Sequence, residues 1–442
     1  MATSIFFYGF WDYRYLSLIF CSIAFNFGVG RLLSKGGGSK NKALLIFGIV
    51  ANLGLLGYFK YANFFAENLQ ILLGIGLGLA AIALPLAISF FTFQQIAFLV
   101  DSARGERGEC SFVDYCLFVS FFPQLIAGPI VHHSEMMPQF EQAGGSVDWE
   151  KIAKGLFIFG IGLFKKVIIA DSLAQWVAPG YAAVESLSLI DSWLVTVAYM
   201  FQLYFDFSGY SDMAIGSALI MGIVLPWNFQ SPYKAMTIQE FWRRWHMTLS
   251  RFLRDYLYIP LGGSRCSDPR VGFNLFVTFL LGGIWHGAGW TFMIWGAMHG
   301  VACIIHRVWS GKGRRLPPLV AWCMVLMFLN VTWVFFRAPD WGAAVDMLGA
   351  MVGLNGVVLP GPLQGALPSV GSLGEFMPGL PSKAECPVWI LAAGLISLFA
   401  PSSFQLAERF RLTIRTVSVT AFLIGASLIN LNKVSEFLYF QF

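Results

Sequence analysis

The chain has 442 residues, 57% of them hydrophobic and only 12% charged, with a mean hydropathy of +0.66. Soluble domains carry about 25% charged residues, so no water-soluble fold could hide this much apolar surface. The net charge of +5 is met by basic loops between membrane spans and calls for no nucleic-acid partner.

A helix that crosses a bilayer needs roughly 20 mostly apolar residues, and about eleven stretches satisfy that rule. In chain order they lie near 14 to 30, 43 to 59, 71 to 100, 112 to 131, 155 to 170, 189 to 206, 213 to 229, 271 to 285, 288 to 305, 319 to 336 and 388 to 431, the last long enough for two. The stretch at 112 to 131 carries Pro123, Gly128 and Pro129, which marks it as a segment that re-enters rather than crosses. Backbone that leaves the helix at membrane depth must line a cavity or be buried in protein, so an internal chamber is expected.

Lys and Arg collect on the cytoplasmic side of short loops. The segments from Arg31 to Lys42, Arg104 to Arg107, Lys234 to Arg270 and His306 to Arg315 are basic, as is the turn with Arg409, Arg411 and Arg415. The Gly- and Pro-rich loop at 340 to 387, with Asp340, Asp346, Glu375, Lys383 and Glu385, reads as the outer face. Both chain ends then face outward. The first apolar run is flanked by Asp12 and Arg14 and flows into further spans, which is not a cleavable signal pattern. The expected organisation is one polytopic domain over 1–442, with a cytoplasmic amphipathic segment at 231–270 and the outer loop at 340–387. The seven cysteines form no CxxC pair and mostly sit in apolar runs, so they read as small core residues rather than a zinc site or disulfide framework.

Two segments carry candidate chemistry. In TIQEFWRRWHMTLSRFLRDYLYIPLGG, residues 237 to 263, Thr237 and Glu240 have capping-box spacing, so a helix is expected to start there. At 100° per residue Trp242, His246, Leu249, Leu253 and Tyr256 share one stripe while Arg243, Arg244, Arg251 and Arg254 share another. Basic amphipathic helices commonly anchor a protein to anionic lipid; guanidinium forks also suit phosphate. His246 is the one group on the apolar stripe that titrates near neutral pH. The second segment, GGIWHGAGWTFMIWGAMHG at 282 to 300, places His286 and His299 in an otherwise uncharged, glycine-rich frame. An imidazole there can take a proton from a hydroxyl or thiol at neutral pH, as acyl transfer requires. Asp206, Asp212 and Asn228 are polar groups in or near apolar runs; Asp206 is the candidate to orient a histidine.

These segments, with LGYFKYANFF (56 to 65), PLAISFFTFQ (85 to 94), FFPQLIAGPIV (121 to 131), GLFKKVIIAD (162 to 171), FDFSGYSDMAIG (205 to 216), WVFFRA (333 to 338) and FLYFQF (437 to 442), resemble the membrane-bound O-acyltransferase superfamily, in its bacterial alginate O-acetyltransferase-like branch. The resemblance implies an all-α multi-pass shell around a central tunnel in a bacterial inner membrane. It places the catalytic histidine of the WHG motif at His286 and a second tunnel histidine at His246, with His299, Trp285 and Asp206 as further candidates. It implies no bound cofactor or metal, acetyl-CoA as acyl donor near Arg243, Arg244 and Arg251, and a periplasmic partner of SGNH-hydrolase-like fold within a polysaccharide biosynthesis complex. Alginate, cellulose, peptidoglycan or another exopolysaccharide would be the acceptor. Members usually carry one more hydrophobic span before the FFYGFWDYRYL stretch, and often Arg-Tyr after GPIV where this chain has His132 and His133. A transporter of lipid-linked sugars would share the composition but should show internal repeats, and the sequence shows none. A scaffold without chemistry would not need histidines in a glycine-rich frame.

Overall fold

The computed structural model describes residues 1–36, 39–74, 82–105, 111–142, 147–360, 376–381, 383–431 and 438. Among them every regular element is a helix. Three are long and apolar enough to cross a membrane, within Ala2–Lys35, Lys40–Leu73 and Pro318–Arg337, and Glu385–Phe399 and Ile414–Ile429 are shorter apolar helices. Ile46, Phe47, Val50 and Leu53 are about half exposed along one helix. Such an apolar face suits lipid and not water. The chain is a helical membrane protein.

Helix boundaries differ from expectation where a local rule competes with hydropathy. The first apolar helix begins at Ala2, because Ala2–Asp12 and Leu16–Lys35 are joined by a single 3-10 turn. The stretches expected at 189 to 206 and 213 to 229 form one helix, Leu189–Ile220, before the chain leaves helical geometry. The stretch at 112 to 131 breaks as its prolines require: Phe112–Ser120, then a four-residue turn Phe122–Leu125, then extended chain. Part of the 71 to 100 stretch and much of the 340 to 387 loop lie outside the described residues.

The chain divides into two compact units. The first comprises 1–159, 213–227 and 248–260. Its helices Leu16–Lys35, Ser39–Leu73 and Ile88–Arg104 are tied by a buried polar cluster: Ser22 Oγ donates to Gln95 Oε1 at 3.2 Å, Asn26 and Asn52 exchange amide bonds at 2.6 and 3.1 Å, and Asn26 also donates to Gln95. Amides paired across helices hold a bundle together where apolar contact cannot distinguish neighbour from lipid. In the same unit Tyr256 donates to Asp101 at 2.8 Å and meets His132 Nδ1 at 2.9 Å, while Arg251 makes a forked pair with Glu135 at 2.5 and 2.9 Å. Burial lowers the His132 pKa below its ordinary value, and the Arg251 charge adds to that effect.

The second unit comprises 160–212, 228–247 and 261–442. Two lysines on the π-helical turn Lys165–Ala170 anchor it. Lys165 Nζ lies 2.7 Å from Asp212 and 2.6 Å from Ser403 Oγ, and Lys166 Nζ lies 2.7 Å from both Asp171 and Asp206. Buried charges persist only when paired in this way. Helices Asp268–His286 and Trp290–Gly311 form a hairpin of very close approach: a Cβ built on Gly283 would stand 2.4 Å from the Phe292 carbonyl oxygen, and one on Gly296 would stand 2.5 Å from that of Phe279. Both histidines of the glycine-rich frame sit on this hairpin.

Candidate active site

The cap expected at Thr237 forms, with Thr237 Oγ1 accepting from Glu240 N at 3.0 Å. The long amphipathic helix does not. Helix stops at Trp242, and the chain turns through Arg243 to His246 before helix resumes at Met247. His246 adopts φ +42°, a left-handed conformation that no glycine supplies here. Such strain persists only where the surroundings enforce it. Two backbone bonds do so: Gln230 N donates to Arg244 O at 2.9 Å, and Met247 N donates to Asn228 O at 3.0 Å. The stripe drawn from 100° periodicity is therefore interrupted at the residue of most interest.

The turn carries His246 into full burial, where Asn228 Oδ1 lies 3.1 Å from its Nδ1. Asn228 Nδ2 donates to Ser211 Oγ at 3.3 Å, which presents the amide oxygen to the imidazole. An amide oxygen only accepts, so Nδ1 carries the proton and Nε2 keeps its lone pair. That Nε2 is buried and has no hydrogen-bond partner among the described residues. The Phe207 ring stands edge-on at 4.8 Å and blocks one side.

His286, at the end of its helix, is 6% exposed, with its ring centroid 6.5 Å from that of His246. Trp285, Trp295 and Phe336 pack around it at 5.0, 5.1 and 5.2 Å. One helix further, His299 is fully buried and 4.7 Å from Trp295. Trp242 Nε1 donates to its Nδ1 at 3.3 Å, leaving the proton on Nε2. The structure thus gathers His246, His286, His299 and Trp285 into one aromatic-walled cluster within the second unit. Among the described residues no group of three His, Cys, Asp or Glu side chains could hold a metal ion.

Asp206 is placed elsewhere. Its carboxylate is held by Lys166 and accepts from Leu438 N at 3.3 Å, so it braces the scaffold and contacts no histidine among the described residues. Asn228 performs the orienting instead. Of the arginines expected to meet the donor, Arg244 is engaged by Glu240 at 2.8 Å and Arg251 by Glu135, while Arg243 is exposed and forms no ion pair among the described residues.

Residues 47–336 match the membrane-bound O-acyltransferase family. The chain belongs to that family. It is 45% identical to the peptidoglycan O-acetyltransferase of Helicobacter pylori over 481 aligned residues, covering 100% of this chain and 90% of the relative. It is 38% identical to the probable alginate O-acetylase of Pseudomonas putida over 467 residues, covering 100% and 93%. The teichoic acid D-alanyltransferase of Bacillus subtilis is similar over half of the chain, at 28% identity covering 52% and 62%. As a family member the chain is a membrane O-acyltransferase, and the Helicobacter pylori and Pseudomonas putida relatives, each matched over the whole chain, are named for O-acetyl transfer.

Proposed function

We propose that this O-acyltransferase moves acetyl groups from a cytosolic thioester, acetyl-CoA by preference, across the bacterial inner membrane for O-acetylation of a cell-envelope polysaccharide, with His286 and His246 as its working bases. The observation that carries the proposal is the pair of buried imidazoles 6.5 Å apart in a family defined by acyl transfer. In the transfer, the acceptor hydroxyl oxygen forms a bond to the acyl carbon, the carbon–sulfur bond breaks, and the hydroxyl proton passes through an imidazole to the departing thiolate. A neutral ring with an available lone pair is the form that can begin this step, and the tautomer fixed by Asn228 gives His246 that form.

The identity to a peptidoglycan O-acetyltransferase, higher than that to the alginate O-acetylase, favours peptidoglycan as the polymer, with alginate or a related exopolysaccharide as the second reading. The donor's phosphates would meet Arg243, whose guanidinium is unclaimed by any carboxylate among the described residues. Delivery to the polymer is assigned to a periplasmic transferase of SGNH-hydrolase-like fold. The test is His286→Ala in a strain that makes the protein at normal level, with ester-linked acetate measured on purified peptidoglycan and on secreted polysaccharide. Loss of acetate from one polymer names the acceptor; unchanged acetate on both overturns the assignment.

A further inference from the structure

Arg337 ends the helix Pro318–Arg337 with no carboxylate partner and no hydrogen bond among the described residues, and its Nε is buried and unsatisfied. Its guanidinium carbon lies 5.3 Å from the Tyr181 ring centroid. Tyr181 and Tyr199 meet edge-on at 6.1 Å, are 5% and 0% exposed, and have phenolic oxygens that are likewise buried without a partner. Tyr181 therefore meets both the guanidinium and the Tyr199 ring. All three residues belong to the second unit.

This arrangement has a price that a purely structural role does not explain. A cation at a helix C-terminus gains from the helix dipole, but two buried phenols gain nothing from it. Leaving a buried polar group unsatisfied is costly, and native proteins keep such groups rare. Carboxylates of the surrounding elements are committed elsewhere: Asp206 to Lys166, Asp191 to Ser188 and Met377 N, and Asp340 to its helix cap at Ala343 N.

We infer that Arg337, Tyr181 and Tyr199 form a carboxylate-binding site, in which the planar guanidinium takes the two oxygens as a fork and the phenols donate to them. Guanidinium and carboxylate match in geometry as well as charge. The site adjoins the cluster of buried histidines, since Phe336, the residue before Arg337, packs on His286 at 5.2 Å. Two sources offer this chemistry: acetate released when the acyl group is lost to water, or a carboxylate on an anionic acceptor sugar. Naming those sources rests on the acyl-transfer reading; the binding claim does not.

The experiment is thermal unfolding of the purified full chain in detergent, titrated with sodium acetate, sodium glucuronate, glucose and sodium chloride. A ligand that binds the folded state raises Tm with the logarithm of its concentration. Acetate or glucuronate should raise Tm above the matched chloride and glucose controls, and Arg337→Gln should abolish the difference. The doubly substituted Tyr181→Phe, Tyr199→Phe protein keeps ring packing and loses only the hydroxyls, so it serves if the arginine variant does not fold; it should weaken the response severalfold. Glucuronate acting at lower concentration than acetate assigns the acceptor sugar, and the reverse order assigns the released acid. Equal shifts with chloride, or carboxylate shifts retained in both variants, overturn the site. Because the readout is binding, a chain with normal acyl transfer and no carboxylate response sinks this inference alone, and the opposite pattern sinks only the acyl-transfer reading.

Discussion

Asn228 holds His246 by one bond, Oδ1 to Nδ1 at 3.1 Å, and that bond decides which imidazole nitrogen is the acceptor. Replacing Asn228 with Ala frees the ring to take either tautomer and to rotate. A lost buried hydrogen bond is worth about 1–3 kcal/mol, so the maximal rate of acyl transfer should fall roughly tenfold or more while the donor KM changes little. His246→Ala should lose at least as much. If Asn228→Ala keeps the full rate while His246→Ala does not, the orienting role is wrong and the histidine acts independently of its neighbour.

Asp206 is expected to matter for stability before it matters for chemistry. Asp206 is buried and its partner Lys166 largely so, and removing one half of a buried pair typically costs about 3–5 kcal/mol; Asp171, also 2.7 Å from Lys166, and the partial exposure of the lysine should soften that loss. Asp206→Ala should therefore lower the unfolding temperature in detergent clearly, and Asp206→Asn less so, with residual activity tracking the folded fraction. An Asp206→Ala protein of undiminished stability and no activity would return this carboxylate to the catalytic machinery.

The contrast between these two residues shows what a sequence exposes. Hydropathy makes the membrane class readable, and glycines such as Gly282, Gly283, Gly287 and Gly289 allow close approach of helices or a ligand because only a missing side chain permits it. The cap at Thr237 was readable because it is local. The break at His246 was not, since a positive φ in a histidine is imposed by Asn228 and Gln230, which bond to turn residues 19 and 14 positions further along the chain. The ion pair of Asp206 is hidden for a related reason: its partner Lys166 is 40 positions away on a π-helical turn that no periodicity reveals. Arg337, Tyr181 and Tyr199 come from three separate helices, and only the folded chain brings them together, with buried polar atoms that have no hydrogen-bond partner among the described residues.

Arg243 and Arg244 are neighbours in sequence but should differ in function. Arg244 is spent on Glu240 at i,i+4, a partly exposed pair of the kind worth about 0.3–0.5 kcal/mol. Arg243 is exposed and free of carboxylates among the described residues. A charge-assisted bond to phosphate is worth about 1.5–3 kcal/mol, so Arg243→Glu should raise the donor KM roughly tenfold or more, with little change in maximal rate and a weaker dependence on salt. Arg244→Glu should change donor KM less. Equal and small effects from both would remove donor docking from this turn.

The glycine hairpin makes the sharpest mechanical prediction. At Gly283 and Gly296 a methyl group would meet backbone oxygen at 2.4 and 2.5 Å, and backbone in a packed hairpin cannot swing aside as a side chain can. Gly283→Ala must therefore separate the two helices, and His286, three residues further along, moves with them. Overpacking of this kind costs about 1–3 kcal/mol, and the displacement should reduce acyl transfer more than the folded fraction alone explains. Gly289 is the control: its backbone is extended at φ −166°, and an added Cβ would find its nearest neighbour, the Phe292 side chain, at 3.5 Å. Gly289→Ala should be nearly silent in both Tm and activity. Were Gly283→Ala as active and as stable as the parent, close approach of the two helices could not be what positions the histidine.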